Sequence, residues 1–207
     1  MSKLRARKIK LILFDVDGVL TDGKIWIFPA PGGAQALPGS SNTLMERSAQ
    51  KTGESGFGFQ STTLIEAKGF HAHDGTAISL ARLAGIKTGL ITKRVSETVA
   101  LRARDLKMDH VHQGIQDKAG AFLQILEKDG IAAAEAAFVG DDVIDLPVMR
   151  KCGLAIAVKN ARPEVKAEAH WITPHAGGEG AARDAVEYIL KAQGKWKKAV
   201  EDYIERG

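Results

Sequence analysis

The sequence predicts a doubly wound α/β fold, in which helices cover both faces of a parallel sheet. One observation is that short apolar runs typical of buried strands alternate with helical patterns from Ile9 onward. Another is that single helices join these strands, which favours parallel pairing with right-handed crossovers. In such a sheet, ligands bind at the carboxyl ends of the strands. We therefore expect functional residues directly after the apolar runs.

The individual elements follow from the same alternation. Short apolar runs predict strands at Ile9–Phe14, Lys87–Thr92, Ala136–Val139 and Leu154–Val158. Helical patterns are present at Thr76–Ala84, Ser96–Leu106, Lys118–Lys128 and Ile144–Lys151. Three of these helices are followed by glycines, namely Gly85, Gly130 and Gly153, which predict left-handed C-terminal caps. We expect residues 1–207 to form a single domain.

One stretch, residues 29–62, interrupts the alternation. It holds three of the six prolines and six of the 22 glycines, and it shows no sustained periodicity. Its flanks, Lys24–Phe28 and Thr63–Lys68, are β-like and are predicted to pair as a hairpin. We interpret the stretch as a loop at the hairpin tip, in which Leu44–Lys51 has the pattern of two helical turns. An ordered lid or a subunit contact is the alternative.

The composition is that of an ordinary globular protein, with 207 residues of which 44% are hydrophobic and 26% are charged. The clean apolar runs fall far short of the roughly 20 residues that span a bilayer, so no membrane partner is expected. The first residues lack the features of a signal peptide, and the single Cys152 can form no internal disulfide. These features favour the cytoplasm.

The net charge of +4 comes from one end of the chain. The first ten residues hold five basic side chains and no acid, so the remaining residues carry a net charge of −1. We interpret these ten residues as a basic tail and the lysines from Lys191 to Lys198 as a solvated helix end. No nucleic-acid partner is expected.

Polar residues follow the predicted strands at the ends where ligands bind. They are Asp15 and Asp17, then Thr92, then Lys118 at a helix start, and finally Asp141, Asp142 and Asp145. Neighbouring carboxylates can share a divalent cation, and a hydroxyl with an ammonium suits a phosphoryl group. An EF-hand is excluded because Val19, Leu20 and Trp26 stand where its loop requires an oxygen ligand, a glycine and a glutamate. The pattern predicts phosphoryl chemistry with Mg²⁺.

These residues resemble the four motifs of the haloacid dehalogenase superfamily of phosphotransferases. The matching positions are Asp15-x-Asp17-Gly18, Thr92, Lys118 and Gly140-Asp141-Asp142-x-x-Asp145. Two further segments, Phe70–Gly75 and Gly177–Ala181, resemble the branch that lacks a cap domain, the 3-deoxy-D-manno-octulosonate 8-phosphate phosphatases. The resemblance implies a Rossmann-like haloacid dehalogenase fold, capless, with a β-hairpin flap.

The resemblance also implies an aspartyl-phosphate mechanism. Asp15 would be the nucleophile, and Asp17 the acid and then the base. The cofactor Mg²⁺ would be held by Asp15, the Asp17 carbonyl and Asp141, with Asp142 and Asp145 in support. The phosphate would contact Thr92, Lys93 and Lys118. The sugar would contact His71, Ala72, His73, Asp74, Gly75, Arg94 and Arg102.

The implied substrate is a small phosphorylated sugar acid, and the implied assembly is a homotetramer. Only 26 positions separate Thr92 from Lys118, which leaves no room for a cap domain between them. In this branch the hairpin and a C-terminal segment of a neighbouring subunit are expected to close the open site.

Several positions depart from the branch pattern. His73 stands for an arginine, Ala77 for a glycine and Ser79 for a basic residue, while Lys93 replaces a glycine and Glu179 a frequent base. Because His73 and Ser79 replace stronger cations that would bind an acidic sugar, the identity of the sugar stays open.

Parts of the same pattern are also compatible with other functions. The alternatives are a phosphatase for another nonulosonate 9-phosphate or another small phosphate ester, a phosphomutase, and a phosphosugar-binding paralogue without activity. A zinc site at His71 and His73 is disfavoured because no thiolate accompanies them. A signalling receiver domain is disfavoured because the run Lys87–Thr92 contains no carboxylate.

Overall fold

The computed structural model describes residues 1–29, 57–58 and 64–205. The loop predicted between the hairpin flanks, including the two helical turns expected at Leu44–Lys51, falls almost wholly outside the described residues.

A six-stranded parallel sheet forms the centre of the fold. The strands in chain order are β1 (Leu11–Phe14), β2 (Trp26–Pro29), β3 (Phe57–Gly58), β4 (Leu64–Ala67), β5 (Lys87–Ile91), β6 (Arg94–Val95), β7 (His110–His112), β8 (Ala136–Gly140), β9 (Leu154–Ala157) and β10 (Trp171–Ile172). The sheet order is β10-β9-β8-β1-β5-β7. β1 therefore lies inside the sheet, with Phe14 paired to Val139 on one side and Leu90 on the other.

Helices flank the sheet in two packed groups. They are α1 (Ser2–Ala6), α2 (Ala72–Leu83), α3 (Glu97–Asp105), α4 (Lys118–Asp129), α5 (Leu146–Met149), α6 (Pro163–Glu168), α7 (Ala181–Ala192) and α8 (Trp196–Ile204). α7 packs against α1, α2 and α8, whereas α5 packs against α4 and α6. The doubly wound α/β prediction is thus confirmed. Among the described residues, no helix has both the length and the apolar character needed to cross a bilayer.

The core is built on the central strands. All four residues of β1 are fully buried, because a parallel sheet covered on both faces leaves no side of a strand exposed. Helix α7 adds Ala185, Val186 and Ile189 to this core at helical spacing. The packed centre fixes the carboxyl ends of β1, β5 and β8 at one edge of the sheet.

The predicted hairpin is present and its apolar face is exposed. β2 and β4 pair antiparallel, with Trp26 opposite Ala67 and Phe28 opposite Ile65. The exposed fractions are 53% for Trp26, 49% for Phe28 and 45% for Ile65. The exposed apolar side chains of the hairpin form a surface that another protein chain can cover.

Some predicted boundaries were wrong. The helix predicted from Thr76 begins at Ala72, because His71 caps its first turn. The helix predicted at Ile144–Lys151 is a 3₁₀ turn at Val143–Asp145 followed by the four-residue α5. β10 was not predicted, and no bounds were predicted for β7 or for the helices α7 and α8 that hold Lys191, Lys197 and Lys198. The expected basic tail contains α1, whose Arg5 Nη1 donates to the Gly153 carbonyl at 2.8 Å.

The expected glycine caps hold at two of three positions. Gly85 and Gly130 are left-handed, with φ of 75° and 63°. Gly153 is not among the left-handed residues, so the prediction of a cap there was wrong. Its amide donates to the carbonyls of Ala133 and Ala136, and a Cβ there would overlap the Ala134 carbonyl. Close backbone approach therefore explains this glycine.

Candidate active site

Asp15 lies at the carboxyl end of the central strand, where the sequence places it. Its amide donates to the Val139 carbonyl at 3.0 Å, which extends the pairing of β1 with β8 by one residue. The side chain is buried; Oδ1 accepts from the Val16 amide at 2.7 Å, and Oδ2 is 2.8 Å from Lys118 Nζ. The sheet therefore holds a carboxylate in a fixed orientation at its edge.

Lys118 is the first residue of α4, and its side chain bridges two carboxylates. Asp117 caps this helix by accepting from the Gly120 amide at 2.9 Å. Lys118 Nζ lies 2.8 Å from both Asp15 Oδ2 and Asp145 Oδ1. Burial alone would lower the pKa of Lys118, but the charges and hydrogen bonds of Asp15 and Asp145 raise it. The ammonium stays charged within the site.

Asp145 organises the turn that follows β8. Its Oδ2 accepts from the amides of Asp141, at 3.0 Å, and Asp142, at 3.4 Å, while Oδ1 accepts from Lys118. Both oxygens of this fully buried carboxylate are therefore occupied. The turn is held so that the side chain of Asp141 reaches the neighbourhood of Asp15.

A cluster of three carboxylates forms at this edge. Asp15, Asp141 and Asp145 each offer one oxygen, and these atoms lie within 4.8 Å of one another. Among the described residues, this is the only such group of three or more metal-ligating side chains. A Cβ at Gly18 would overlap Asp141 Oδ2, so the loop after Asp17 requires glycine for the cluster to form.

Burial and neighbouring negative charge raise the pKa of two members of the cluster. Burial, followed by the charge of Asp145, raises the pKa of Asp15 to about 7. Burial and the charges of Asp145 and Asp15 raise the pKa of Asp141 to about 8. Asp141 Oδ1 is buried and has no hydrogen-bond partner among the described residues. An oxygen set of this kind fits a hard divalent cation such as Mg²⁺.

Asp17 points to a second group of charges, which consists of Lys68, Glu66 and Arg94, and of these the sequence predicts only Arg94 as a site residue. Its Oδ1 contacts Nζ of Lys68, and its Oδ2 lies 3.8 Å from Nε of Arg94. Arg94 Nη2 also donates to Glu66 Oε2 at 2.8 Å, and Lys68 Nζ is 3.8 Å from Glu66 Oε1. The Lys68 side chain is fully buried. Lys68, directly after the return strand of the hairpin, and Arg94 of β6 thus supply the partners of Asp17.

Thr92 and Lys93 follow β5 at the same edge. Thr92 is buried, its amide donates to the His112 carbonyl at 2.9 Å, and its Oγ1 accepts from the Arg94 amide at 3.4 Å.

Asp142 is exposed and its Oδ1 accepts from the Val143 amide at 2.7 Å. Its carboxylate therefore caps the turn and is not part of the three-carboxylate cluster.

The predicted sugar-binding segment forms the start of α2. His71 Nδ1 accepts from the His73 amide at 3.3 Å, and the two rings meet edge to face. Together with His175 and Arg183, both rings line an open groove of about 530 Å³. Ala72 and Gly75 contribute backbone to this first turn.

Asp74 links two helices across the fold. It is buried, and Oδ1 accepts from the Arg183 amide in the first turn of α7 at 2.7 Å. Burial raises the pKa of Asp74. The structure therefore gives this predicted sugar ligand a structural partner.

Arg102 is placed between α2 and α3. Its guanidinium carbon lies 5.9 Å from the centre of the Phe70 ring, and its Nη2 would lie 2.5 Å from a Cβ on Gly75. Within the described residues, no ion pair joins Arg102 to Asp15 or Asp17. Arg94 lies beside Asp17, whereas Arg102 packs beneath α2.

Comparison with known proteins gives consistent results over most of the chain. The profile of the haloacid dehalogenase-like hydrolases matches residues 81–183. The 3-deoxy-D-manno-octulosonate 8-phosphate phosphatase of Escherichia coli is 36% identical over 195 residues, which cover 94% of this chain and 86% of the relative. The enzyme of the same name from Yersinia pestis is 33% identical, with coverage of 94% and 87%.

Solved structures show the same similarity in three dimensions. One is the 3-deoxy-D-manno-octulosonate 8-phosphate phosphatase of Moraxella catarrhalis, in complex with magnesium ion, phosphate ion and a KDO molecule. It superimposes with a TM-score of 0.77 at 31% identity and covers 97% of both chains. A haloacid dehalogenase superfamily hydrolase from Legionella pneumophila reaches a TM-score of 0.79 at 31% identity, with coverage of 99% and 94%.

Proposed function

The chain belongs to the haloacid dehalogenase-like hydrolases and is a phosphatase, and from this premise we propose its substrate and mechanism. The proposed reaction is the Mg²⁺-dependent hydrolysis of 3-deoxy-D-manno-octulosonate 8-phosphate through an aspartyl-phosphate on Asp15. The observation that carries the proposal is the contact of Asp15 with Lys118 at the end of β1. It places an oriented carboxylate beside a buried cation, as attack on a phosphate requires.

In the first step, a carboxylate oxygen of Asp15 attacks phosphorus while the bond from phosphorus to the sugar oxygen breaks. Asp17 donates a proton to that departing oxygen. In the second step, Asp17 accepts a proton from water as the water oxygen attacks phosphorus and the bond to Asp15 breaks. Inorganic phosphate leaves, and both aspartates return to their starting states. Thr92, the Lys93 amide and Lys118 stabilise the charge on the phosphoryl oxygens.

Lys68 and Arg94 support the proposed role of Asp17. The cations beside its two oxygens hold the side chain toward the hairpin and restrict its rotamers. A general acid is effective only where its proton reaches the leaving oxygen. Lys68 is therefore proposed as a positioning residue for Asp17.

The proposed Mg²⁺ would be held by Asp15, Asp141 and the Asp17 carbonyl. When bound, it supplies positive charge that keeps the clustered carboxylates ionised and offsets the charge of the phosphate. Asp145 keeps its two oxygens on Lys118 and on the amides of the turn. Its proposed role is to hold Asp141 in place, and Asp142 caps the same turn.

The proposed substrate class is the acidic sugar phosphates, and the relatives are the basis for this proposal. The relatives named above act on 3-deoxy-D-manno-octulosonate 8-phosphate, and Arg94 beside Asp17 supplies a cation suited to a carboxylate. Arg102 and the residues from His71 to Gly75 are proposed to shape the sugar side of the site. A phosphatase for another nonulosonate 9-phosphate is the alternative.

We further propose that the chain acts as one domain in a cytoplasmic homotetramer. The exposed side chains of Trp26, Phe28 and Ile65 on the hairpin favour burial against a neighbouring subunit. In that assembly the flap would close a site over which the described part of the chain places no cap domain.

The reaction is tested by phosphate release from 3-deoxy-D-manno-octulosonate 8-phosphate and from a panel of neutral sugar phosphates. We expect turnover of the acidic sugar that requires Mg²⁺ and disappears in Asp15→Asn. The exposed Asp105→Asn on α3 is the matched control and should retain turnover. Wild-type turnover in Asp15→Asn would remove the proposed nucleophile, and preference for a neutral sugar would remove the acidic-sugar assignment alone.

A further inference from the structure

Two glycines ahead of α7 pack backbone to backbone against the loop that follows Asp17. A Cβ on Gly177 would overlap the Gly18 carbonyl, and a Cβ on Gly178 would overlap the Asp22 amide. The Gly178 amide also donates to the Val19 carbonyl at 3.1 Å. At Gly177, where φ is not left-handed, close approach alone excludes a side chain.

The loop after β9 holds this contact from the other side. Asn160 Oδ1 accepts from the Gly177 amide at 2.8 Å. Two residues after Asn160, the Arg162 amide donates to the Asp141 carbonyl at 2.8 Å. Two residues before Asn160, the Val158 amide donates to the Gly140 carbonyl at 3.2 Å. The loop after β9 therefore forms hydrogen bonds both to the Asp141 carbonyl and to the amide of Gly177, which packs against Gly18.

These contacts close a circuit around the three-carboxylate cluster. Gly18 lies under Gly177 on one side and against the Asp141 carboxylate on the other. Any movement of Gly177 therefore changes the space available to Gly18, and with it the backbone next to Asp17. Through Asn160 and Arg162, the loop after β9 joins the loop after β1 to the backbone of the turn after β8.

We propose that Asn160 is a positioning residue, which acts through Gly177 to fix the Asp17–Gly18 backbone relative to Asp141. The inference rests on the proposed function, since it assigns Asn160 the task of setting the spacing between the two halves of the proposed Mg²⁺ site. Ligands held at the correct spacing before binding avoid the cost of being ordered by the ion. Loss of the Asn160 hydrogen bond then weakens Mg²⁺ binding.

The test is calorimetric titration of the full-length protein with MgCl₂, without substrate. We expect Asn160→Ala to raise the dissociation constant for Mg²⁺ about fivefold, the effect of one ordinary hydrogen bond. Asn160→Asp keeps the acceptor and should restore the wild-type value to within about twofold. The exposed Glu164→Ala, on the neighbouring α6, is the surface control and should not differ from wild type.

A second arm uses the glycine itself and an activity readout. Gly177→Ala should weaken Mg²⁺ binding at least as much as Asn160→Ala, whereas Gly69→Ala should not, because a Cβ on Gly69 meets nothing within 4 Å. With p-nitrophenyl phosphate at saturating Mg²⁺, the KM of Asn160→Ala should equal that of wild type. The substrate-binding groups are unchanged in this variant, so we expect the defect to affect Mg²⁺ binding alone.

The outcomes separate this inference from the proposed function. Failure of the wild-type protein to bind Mg²⁺ would overturn the proposed function. Wild-type Mg²⁺ binding with equal affinity in Asn160→Ala would overturn the positioning role, as would a lower melting temperature with no change in affinity. If Gly177→Ala does not fold, the comparison of Asn160→Ala with Asn160→Asp decides.

Discussion

Lys68 offers a direct test of how Asp17 is held. Lys68→Met keeps most of the side-chain volume but removes the ammonium that contacts Asp17 Oδ1. A hydrogen bond between charged groups contributes about 1.5–3 kcal/mol, or roughly ten- to a hundredfold in a rate or binding constant. The Asp17 side chain is 23% exposed, so water can replace part of the lost contact. We therefore expect about a tenfold loss, at the lower end of this range.

The assay compares two leaving groups, because a general acid matters only where the departing oxygen needs a proton. kcat/KM reports the first irreversible step, which here is phosphoryl transfer to Asp15. For the sugar phosphate we expect kcat/KM to fall about tenfold. For p-nitrophenyl phosphate, whose phenolate leaves without protonation, the fall should be less than about threefold.

Lys24→Met is the matched control, since Lys24 lies near the same hairpin but is exposed and, among the described residues, forms an ion pair only with exposed Asp22. Neither substrate should be affected by this change. An equal loss for both substrates in Lys68→Met would show that Lys68 acts through the fold or the ion. No loss for either would show that Asp17 needs no such partner.

Three further predictions concern the ion, the flap and the sugar. Folding raises the pKa of Asp141 from 3.8 to about 8, so the metal-free protein should lose stability as pH rises through that interval. Mg²⁺ should therefore raise the melting temperature more at pH 8 than at pH 6. Equal increases in melting temperature at the two pH values would contradict this prediction. Trp26→Glu with Phe28→Glu should dissociate the proposed tetramer in light scattering, whereas a wild-type monomer with full activity would refute the assembly. Ser79→Arg should improve kcat/KM for the acidic sugar relative to a neutral sugar phosphate by about tenfold; an unchanged ratio would remove this residue from sugar selection.

Much of the candidate site could be predicted because the α/β architecture brings strand ends together. Asp15, Thr92 and Asp141 each follow an apolar run, and a parallel sheet places such residues at one edge whatever the intervening sequence. The position of Lys118 is predicted less directly, because Lys118 begins helix α4 instead of following a strand, and its side chain reaches back to the strand ends. The three-carboxylate cluster joins Asp15 and Asp141, which follow neighbouring strands, to Asp145 from the turn after β8.

Contacts that depend on side-chain direction could not be predicted in the same way. Lys68 is 51 positions from Asp17, and only the path of the hairpin brings the two together. Arg102 lies on α3, and the helical pattern does not tell which side of that helix meets α2. The bounds of short elements could not be predicted either, because the two residues of β10 and the His-Val-His of β7 give no measurable periodicity.

Asp74 has a consequence for how the molecule opens. The Arg183 amide at the start of α7 depends on a carboxylate 109 positions earlier in the chain. Because Gly180 provides no side-chain cap, the first turn of α7 cannot protect this amide by itself. Exchange of the Arg183 amide hydrogen with deuterium would therefore report separation of α2 from α7 and not fraying of one helix. A single backbone proton thus monitors whether two distant parts of the sequence are docked.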